Sequence, residues 1–153
     1  MRVVASVISN RWEQAKSSNN RRLDRILIDT STVIEILRNP KSSGRFKLVK
    51  EQMRNEELYL LIIWLAELSD WCFRNGVPLT ERIGAVKQFA SIVSLDDDVC
   101  LEGLRIKSAR RRTGHENFSL LDGFVLAAAR SIGERLLTFD RDFMCEEDCV
   151  VLA

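Results

Sequence analysis

Short apolar runs alternate with helical segments along most of this chain, and that alternation is the feature that most restricts its fold. Strands are predicted at residues 26–29, 58–63, 93–95, 135–139 and 149–152. Helices are predicted between them at residues 31–38, 44–57, 65–75, 80–92, 96–112 and 119–132. Strands that are joined through helices imply a mostly parallel central sheet with helices on both faces. The sequence therefore predicts an α/β fold.

The length of 153 residues fits a single domain with a core of its own. The first 25 residues differ from the rest, because they are rich in arginine and contain the polar tract Ser-Ser-Asn-Asn at residues 17–20. We predict an N-terminal extension at residues 1–25 and the α/β domain at residues 26–153.

Composition argues against a membrane protein and against a wholly basic nucleic-acid binder. The longest apolar run, residues 58–66, has nine residues, whereas a membrane-spanning helix needs about 20. Residues 3–8 are too short for the apolar core of a secretory signal, so we expect a cytoplasmic protein. A net charge of +1 gives no global attraction to nucleic acid, and any such attraction must be local.

The four cysteines are Cys72, Cys100, Cys145 and Cys149, and none forms a CxxC pair. With His115 as the only histidine, free and mostly buried thiols are favoured over a zinc site or disulfides. A single histidine in a polar stretch also argues against a Ser-His-Asp catalytic arrangement.

Four carboxylates lie where predicted strands end or predicted helices begin, namely those of Asp29, Glu67, Asp122 and Asp140. Active sites of parallel sheets lie beyond the carboxyl ends of the strands, so one shared site would bring these acids together. Like charges held together cost free energy, and a divalent cation commonly offsets that cost. The pattern predicts a metal-dependent enzyme.

Each acid also has a local explanation. Asp29 could cap the helix that follows it, and Glu67 could be an ordinary solvated helix residue. Ser119 and Asp122 have the spacing of a capping box, and Asp140 could be a turn residue. Four independent explanations are needed in this view, whereas one acidic site accounts for all four.

A basic run, Arg105, Lys107, Arg110, Arg111 and Arg112, comes before the helix that carries Asp122. The last three arginines are candidates for binding RNA phosphates. The alternative is that they complement the dipole at the end of a helix that starts with aspartates. The sequence favours neither.

Four segments, ILIDTSTVIEIL, LAEL, SLLDGFVLAAARSIG and LLTFDRDF, resemble in order the motifs of PIN-domain ribonucleases, most closely the VapC-type toxins of toxin–antitoxin pairs. The resemblance covers residues 26–152. It implies that the four acids hold Mg²⁺ or Mn²⁺, with Asp142 as an auxiliary acid. It also implies that the hydroxyls of Thr30, Ser31 and Thr138 support the acids or contact the substrate.

The resemblance implies a metal-dependent endoribonuclease that cleaves single-stranded RNA, inhibited by a cognate antitoxin protein and assembled as a homodimer. A housekeeping PIN nuclease of RNA processing or decay is an alternative, and a PIN-like binding module that no longer cleaves is another. The chain departs from the family in its first 25 residues. It departs again at Trp64, where relatives commonly have a small polar residue or proline.

Overall fold

The computed structural model describes residues 25–38, 43–54, 56–144 and 146–152. Its strands are β1 (Arg25–Ile28), β2 (Glu57–Leu61), β3 (Ala90–Val93), β4 (Arg135–Thr138) and β5 (Cys149–Val151). Its helices are α1 (Thr30–Arg38), α2 (Gly44–Gln52), α3 (Trp64–Asn75), α4 (Leu79–Phe89), α5 (Asp97–Arg112) and α6 (Leu120–Ser131), with a 3₁₀ turn at Arg141–Phe143. The predicted N-terminal extension lies outside the described residues except for Arg25, which begins β1.

The five strands form one sheet in the order β3-β2-β1-β4-β5, and every neighbouring pair is parallel. The predicted α/β fold with a parallel central sheet is confirmed. Strand β1 lies at the centre, between β2 and β4. The residues that follow β1 and β4 therefore emerge side by side at the carboxyl edge of the sheet, where Asp29 and Asp140 are found.

Alternating residues of the central strands supply two separate cores, one on each face of the sheet. Leu27 of β1 packs in the core beneath α5 and α6. Its neighbours Ile26 and Ile28 pack in the other core, with residues of α1, α3 and α4. All three side chains are at most 1% exposed. Helices on both faces follow directly from this alternation.

Two helices end three or more residues earlier than the sequence predicts, and the strand predicted at residues 93–95 lies at Ala90–Val93. The helix predicted at residues 44–57 ends at Gln52, and the helix predicted at residues 80–92 ends at Phe89, because β3 begins at Ala90. Residues 90–92 fit the apolar spacing of a helix, but they pair in register with β2, from Leu58 opposite Ala90 to Leu61 opposite Val93. Strand pairing with a distant segment decides the conformation here.

Helices α5 and α6 approach each other backbone to backbone at Gly103 and Gly123. A Cβ atom built on Gly103 would lie 2.9 Å from the backbone carbon of Gly123, well inside van der Waals contact. Only glycine allows so close an approach, which fixes the first turn of α6 against α5. Because Asp122 directly precedes Gly123, this crossing also sets the position of that acid.

No helix in the described residues is long and apolar enough to cross a membrane. The described cysteines carry free thiols; Cys72 is buried, and Cys100 and Cys149 are partly buried. Cys145 lies outside the described residues.

Candidate active site

The four acids predicted from the sequence come from four different elements. Asp29 follows β1, Asp140 follows β4, Glu67 lies in the first turn of α3, and Asp122 lies in the first turn of α6. We call these four residues the acidic cluster. The negative charge of Asp122 acts on the other three carboxylates, so the fold brings the four acids to one place at the carboxyl edge of the sheet.

Three hydrogen bonds fix the Asp29 carboxylate. Its Oδ1 accepts from the backbone N–H of Thr30 at 2.7 Å. Its Oδ2 accepts from the hydroxyls of Ser31 at 2.7 Å and Thr138 at 2.9 Å. The Asp29 carboxylate therefore accepts from the first backbone N–H of α1 and is also a member of the acidic cluster. Two of the three predicted supporting hydroxyls contact Asp29.

The third hydroxyl supports Glu67. The Thr30 hydroxyl, on a residue that is 5% exposed, donates to Oε2 of Glu67 at 2.5 Å. This bond links α1 to α3 across the site. Trp64 packs with its side chain in the core, 1% exposed, so this departure from the family leaves Glu67 directed toward Thr30.

The capping box at the start of α6 is formed in full. The Asp122 N–H donates to the Ser119 hydroxyl at 3.1 Å, and Oδ2 of Asp122 accepts from the Ser119 N–H at 2.6 Å. Among the described residues, no donor contacts Oδ1. Capping and a place in the acidic cluster are therefore compatible, because they use different oxygens of one carboxylate.

Asp140 and Asp142 form a short unit after β4. The Asp140 N–H donates to the Thr138 hydroxyl at 2.9 Å, and Oδ1 of Asp140 accepts from the Asp142 N–H at 2.8 Å. The first bond fixes the backbone of Asp140, and the second fixes its carboxylate at the start of the 3₁₀ turn. Asp142 lies close enough for its charge to act on Asp140, as an auxiliary acid would.

The cluster is electrostatically strained in the absence of a cation. Burial raises the pKa of Asp29, and hydrogen bonds from Ser31, Thr138 and Thr30 oppose that rise. Burial likewise raises the pKa of Glu67 and of Asp140. The charge of Asp122 adds to the rise in the pKa of all three acids. The fold therefore holds carboxylates in a place where their ionised forms are disfavoured.

The donor set fits a hard divalent cation such as Mg²⁺ or Mn²⁺, which prefers carboxylate oxygens. In the described part of the chain, no three Asp, Glu, His or Cys side chains close around one point on their own. Mg²⁺ commonly keeps several waters and uses only one or two carboxylates together with substrate phosphates. An open set of acids is consistent with that mode of binding.

The three candidate arginines at the end of α5 have different surroundings. The Arg110 side chain is 13% exposed; its Nη2 donates to the Asp142 carbonyl at 2.5 Å, and its Nη1 pairs with Glu146 at 3.3 Å. Arg111 is exposed and donates from Nε to the Phe118 carbonyl at 3.2 Å. Arg112 is exposed in the last turn. Arg110 thus supports the loop of Asp142 from within the fold.

One cation beside the site was missed in the sequence analysis. The guanidinium carbon of Arg45, at the start of α2, lies 5.4 Å from the ring centre of Phe139. Phe139 lies between Thr138 and Asp140. Nothing in the local sequence marks Arg45, because its contact with Phe139 joins distant segments and arises only from tertiary packing.

The model of the family described as PIN domain matches residues 26–144. No curated protein sequence matches the chain significantly. The fold is similar to that of a chain in the toxin–antitoxin complex from Klebsiella pneumoniae, with a TM-score of 0.64, 16% identity, and coverage of 82% of this chain and 96% of that chain.

A chain of VapBC2 from Rickettsia felis, bound to a DNA fragment from its promoter, gives a TM-score of 0.64 at 12% identity, covering 84% of this chain and 97% of that one. A chain of DNA-bound VapBC from Salmonella typhimurium gives 0.60 at 16% identity, with the same coverage of 84% and 97%. At these identities the likeness concerns the fold. The family model spans most of the chain, including all four acids of the cluster, and the chain belongs to the PIN-domain family.

Proposed function

We propose that this chain is a metal-dependent endoribonuclease that cleaves single-stranded RNA, with the acidic cluster as its catalytic centre. One observation carries the proposal: four carboxylates from four elements meet at one sheet edge, where burial and mutual repulsion disfavour their ionised forms. A fold does not need such a concentration of charge for stability. Membership of the PIN-domain family supports a nuclease, and the alternative of a non-cleaving binding module is less compatible with all four acids being present.

In this proposal Asp29, Glu67, Asp122 and Asp140 hold Mg²⁺ or Mn²⁺, and Asp142 assists them. The ion supplies Lewis acidity toward a phosphate oxygen of the scissile bond. The protein supplies fixed geometry, because hydroxyls of Ser31 and Thr138 orient Asp29 while that of Thr30 orients Glu67. Loss of such a supporting bond typically lowers metal affinity or activity by about 10- to 100-fold.

RNA phosphates approaching an acidic site need cations beside it. We propose that the exposed Arg111 and Arg112 contribute to phosphate binding. The proposal extends to Arg110, whose guanidinium meanwhile contacts the Asp142 carbonyl and Glu146. Its part in binding RNA includes holding the loop that carries Asp142.

We further propose that the chain is the toxin of a toxin–antitoxin pair, acts in the cytoplasm, is inhibited by a cognate antitoxin protein, and forms a homodimer. The similar solved structures support this proposal, because they are chains of toxin–antitoxin complexes. A housekeeping nuclease of RNA processing is the alternative within the same family.

Cleavage is tested with purified protein and a single-stranded RNA oligonucleotide, with Mg²⁺ or Mn²⁺ and then with excess EDTA. We expect cleavage with either ion and none in EDTA. Protein carrying Asp29→Asn, prepared in the same way, controls for contaminating nucleases. Cleavage that continues unchanged in EDTA would rule out the metal-dependent mechanism.

Expression in cells separates the toxin from the housekeeping enzyme. The intact chain should arrest growth, and Asp29→Asn should relieve the arrest at equal protein levels. Co-expression of the neighbouring small gene from the native operon should also relieve it. If active wild-type protein accumulates without harm, the housekeeping nuclease is the better description.

A further inference from the structure

The Arg45 side chain has a defined position and a free surface. Its guanidinium carbon lies 5.4 Å from the ring centre of Phe139, and its Nη1 donates to Oε1 of Glu35 at 3.0 Å. The Arg45 side chain is nevertheless 58% exposed. Two contacts fix the guanidinium, while more than half of the side chain is open to solvent.

The aromatic platform under Arg45 is tied directly to the acidic cluster. The Phe139 N–H donates to the Ser31 hydroxyl at 3.2 Å, and the same hydroxyl donates to Oδ2 of Asp29. Phe139 also directly precedes Asp140 in the chain. Arg45 therefore contacts a residue whose backbone is hydrogen-bonded to the hydroxyl that supports Asp29.

Helix α2, which carries Arg45, has more positive than negative side chains. It carries two further exposed lysines, Lys47 and Lys50, against one glutamate, Glu51. Glu35, the acid that accepts from Arg45, is shared, because Arg38 also lies 4.0 Å from the same carboxylate oxygen.

We propose that Arg45, which lies over the ring of Phe139, binds a backbone phosphate of the RNA strand next to the phosphate at the acidic cluster. This inference rests on the proposed endoribonuclease function. Guanidinium groups suit phosphate oxygens because they present several donors in a fixed plane. The contact with Phe139 and the hydrogen bond to Glu35 restrict the Arg45 side chain before RNA arrives, which reduces the entropy lost on binding.

Binding and cleavage are measured separately on the full chain. Affinity for a fluorescent single-stranded RNA of mixed sequence is measured in EDTA at several salt concentrations, and kcat and KM are then measured with Mn²⁺. Arg45→Gln should weaken binding roughly tenfold. It should also reduce the slope of log affinity against log salt by about 0.7, as expected for one lost phosphate contact on a single strand. KM should rise while kcat at saturating RNA stays near that of wild type.

Arg74→Gln is the matched control. Arg74 is also an exposed arginine in an ion pair, with Asp70 at 2.7 Å, but it lies at the far end of α3 from Glu67. This variant should change neither the salt slope nor KM. Equal losses in both variants would show that only general surface charge matters and would overturn the proposal.

Two further variants test the platform. Arg45→Lys keeps the charge but loses the planar guanidinium, and Phe139→Leu keeps an apolar side chain but removes the ring. Both should raise KM by less than Arg45→Gln and leave the salt slope closer to wild type. If Arg45→Gln binds and cleaves like wild type, Arg45 does not contact RNA even though the enzyme does cleave it. If wild-type protein neither binds nor cleaves RNA, the proposed function itself fails.

Discussion

Two groups of acidic residues in this molecule have opposite surroundings. Near β5, Glu146 lies 2.7 Å from Arg130 and 3.3 Å from Arg110, while Asp148 lies 2.9 Å from Arg130. We call these four residues the ion-pair network. In the acidic cluster, no described lysine or arginine lies within ion-pair distance of a carboxylate, and the charge of Asp122 raises the pKa of the other three acids. Hydroxyls and backbone N–H groups are their hydrogen-bond donors.

The ion-pair network contains charges that stabilise the fold, whereas the acidic cluster contains charges that contribute no ion pair to it. In the ion-pair network each acid has a cation from within the chain, so the pairs stabilise the position of β5 against α5 and α6. In the acidic cluster, burial and repulsion raise the pKa of Asp29, Glu67 and Asp140, and under the proposed function the cation that pairs with these acids comes from outside the chain. Removing one acid from each group should therefore have opposite consequences.

The largest effect is expected for Asp29→Asn, in the acidic cluster. Cleavage should fall by more than roughly 100-fold, beyond the cost of losing a mere supporting partner, because a carboxylate that contacts the cation is lost. The rise in Tm caused by Mn²⁺ should shrink as well, since that rise depends on metal affinity. RNA cleavage and Tm with and without Mn²⁺ are the measurements. Full activity in this variant would exclude Asp29 from the centre.

Glu146→Gln should have the reverse profile in the ion-pair network. It removes one charge from contacts with two arginines, and Arg110 is only 13% exposed. The free energy of unfolding in urea should fall by about 1–3 kcal/mol, whereas kcat per folded molecule at saturating RNA should stay close to wild type, because Arg110, the member of the network that is proposed to bind RNA, is retained. A variant that is as stable as wild type but inactive would break the comparison, because it would place the network in the chemistry.

Asp122 combines a structural role with a place in the acidic cluster. It caps α6, and its charge acts on the other acids. Asp122→Asn keeps an oxygen for the Ser119 N–H, so metal-free stability should stay within about 1 kcal/mol of wild type while cleavage is lost. Ser43→Ala is the matched control, because Ser43 caps α2 with a bond of 3.1 Å to the Phe46 N–H. That variant should lose about 1 kcal/mol and keep its cleavage. Retained cleavage in Asp122→Asn would make Asp122 purely a capping residue.

The order of elements could be predicted from the sequence because it depends on local patterns, and the same patterns mark the four acids as candidates for one site. Apolar runs that end in Asp29 or Asp140 give the strand, its end and the edge of the sheet together. The strand at Ala90–Val93 was misplaced by a few residues, since its conformation depends on pairing with β2. Local spacing carries no information about that partner.

The contacts of the arginines could not be predicted for a related reason. The sequence of the basic run at the end of α5 does not show whether its side chains point to solvent or pack against the protein. In the structure, Arg110 contacts Asp142 and Glu146. Arg45 stands in an ordinary surface helix, and only the packing of α2 against the loop after β4 brings it onto Phe139. Acids at strand ends can be recognised in the sequence as a candidate site, whereas the arginines near it can be recognised only in the structure.

The smallest effect, and the finest test of the comparison, concerns the pH dependence of stability at Glu67. Burial raises the folded-state pKa of Glu67 above its ordinary value of 4.5, and the charges of Asp29 and Asp122 add to the rise. The folded state therefore binds the proton more tightly than the unfolded state, and metal-free stability decreases as pH rises from 4.5 through the raised folded pKa. Gln cannot ionise but can still accept the hydrogen bond from Thr30.

In EDTA at neutral pH, Glu67→Gln should thus be more stable than wild type, and the gap should close as pH is lowered through that window. Urea unfolding of both proteins at a series of pH values measures the gap. Saturating Mn²⁺ should reverse its sign at neutral pH, because ionised Glu67 then contacts a cation and only wild type gains from it. A gap that does not change with pH would mean that Glu67 ionises in the folded protein as easily as in the unfolded chain. Glu67 would then resemble an ordinary surface acid rather than a member of the acidic cluster.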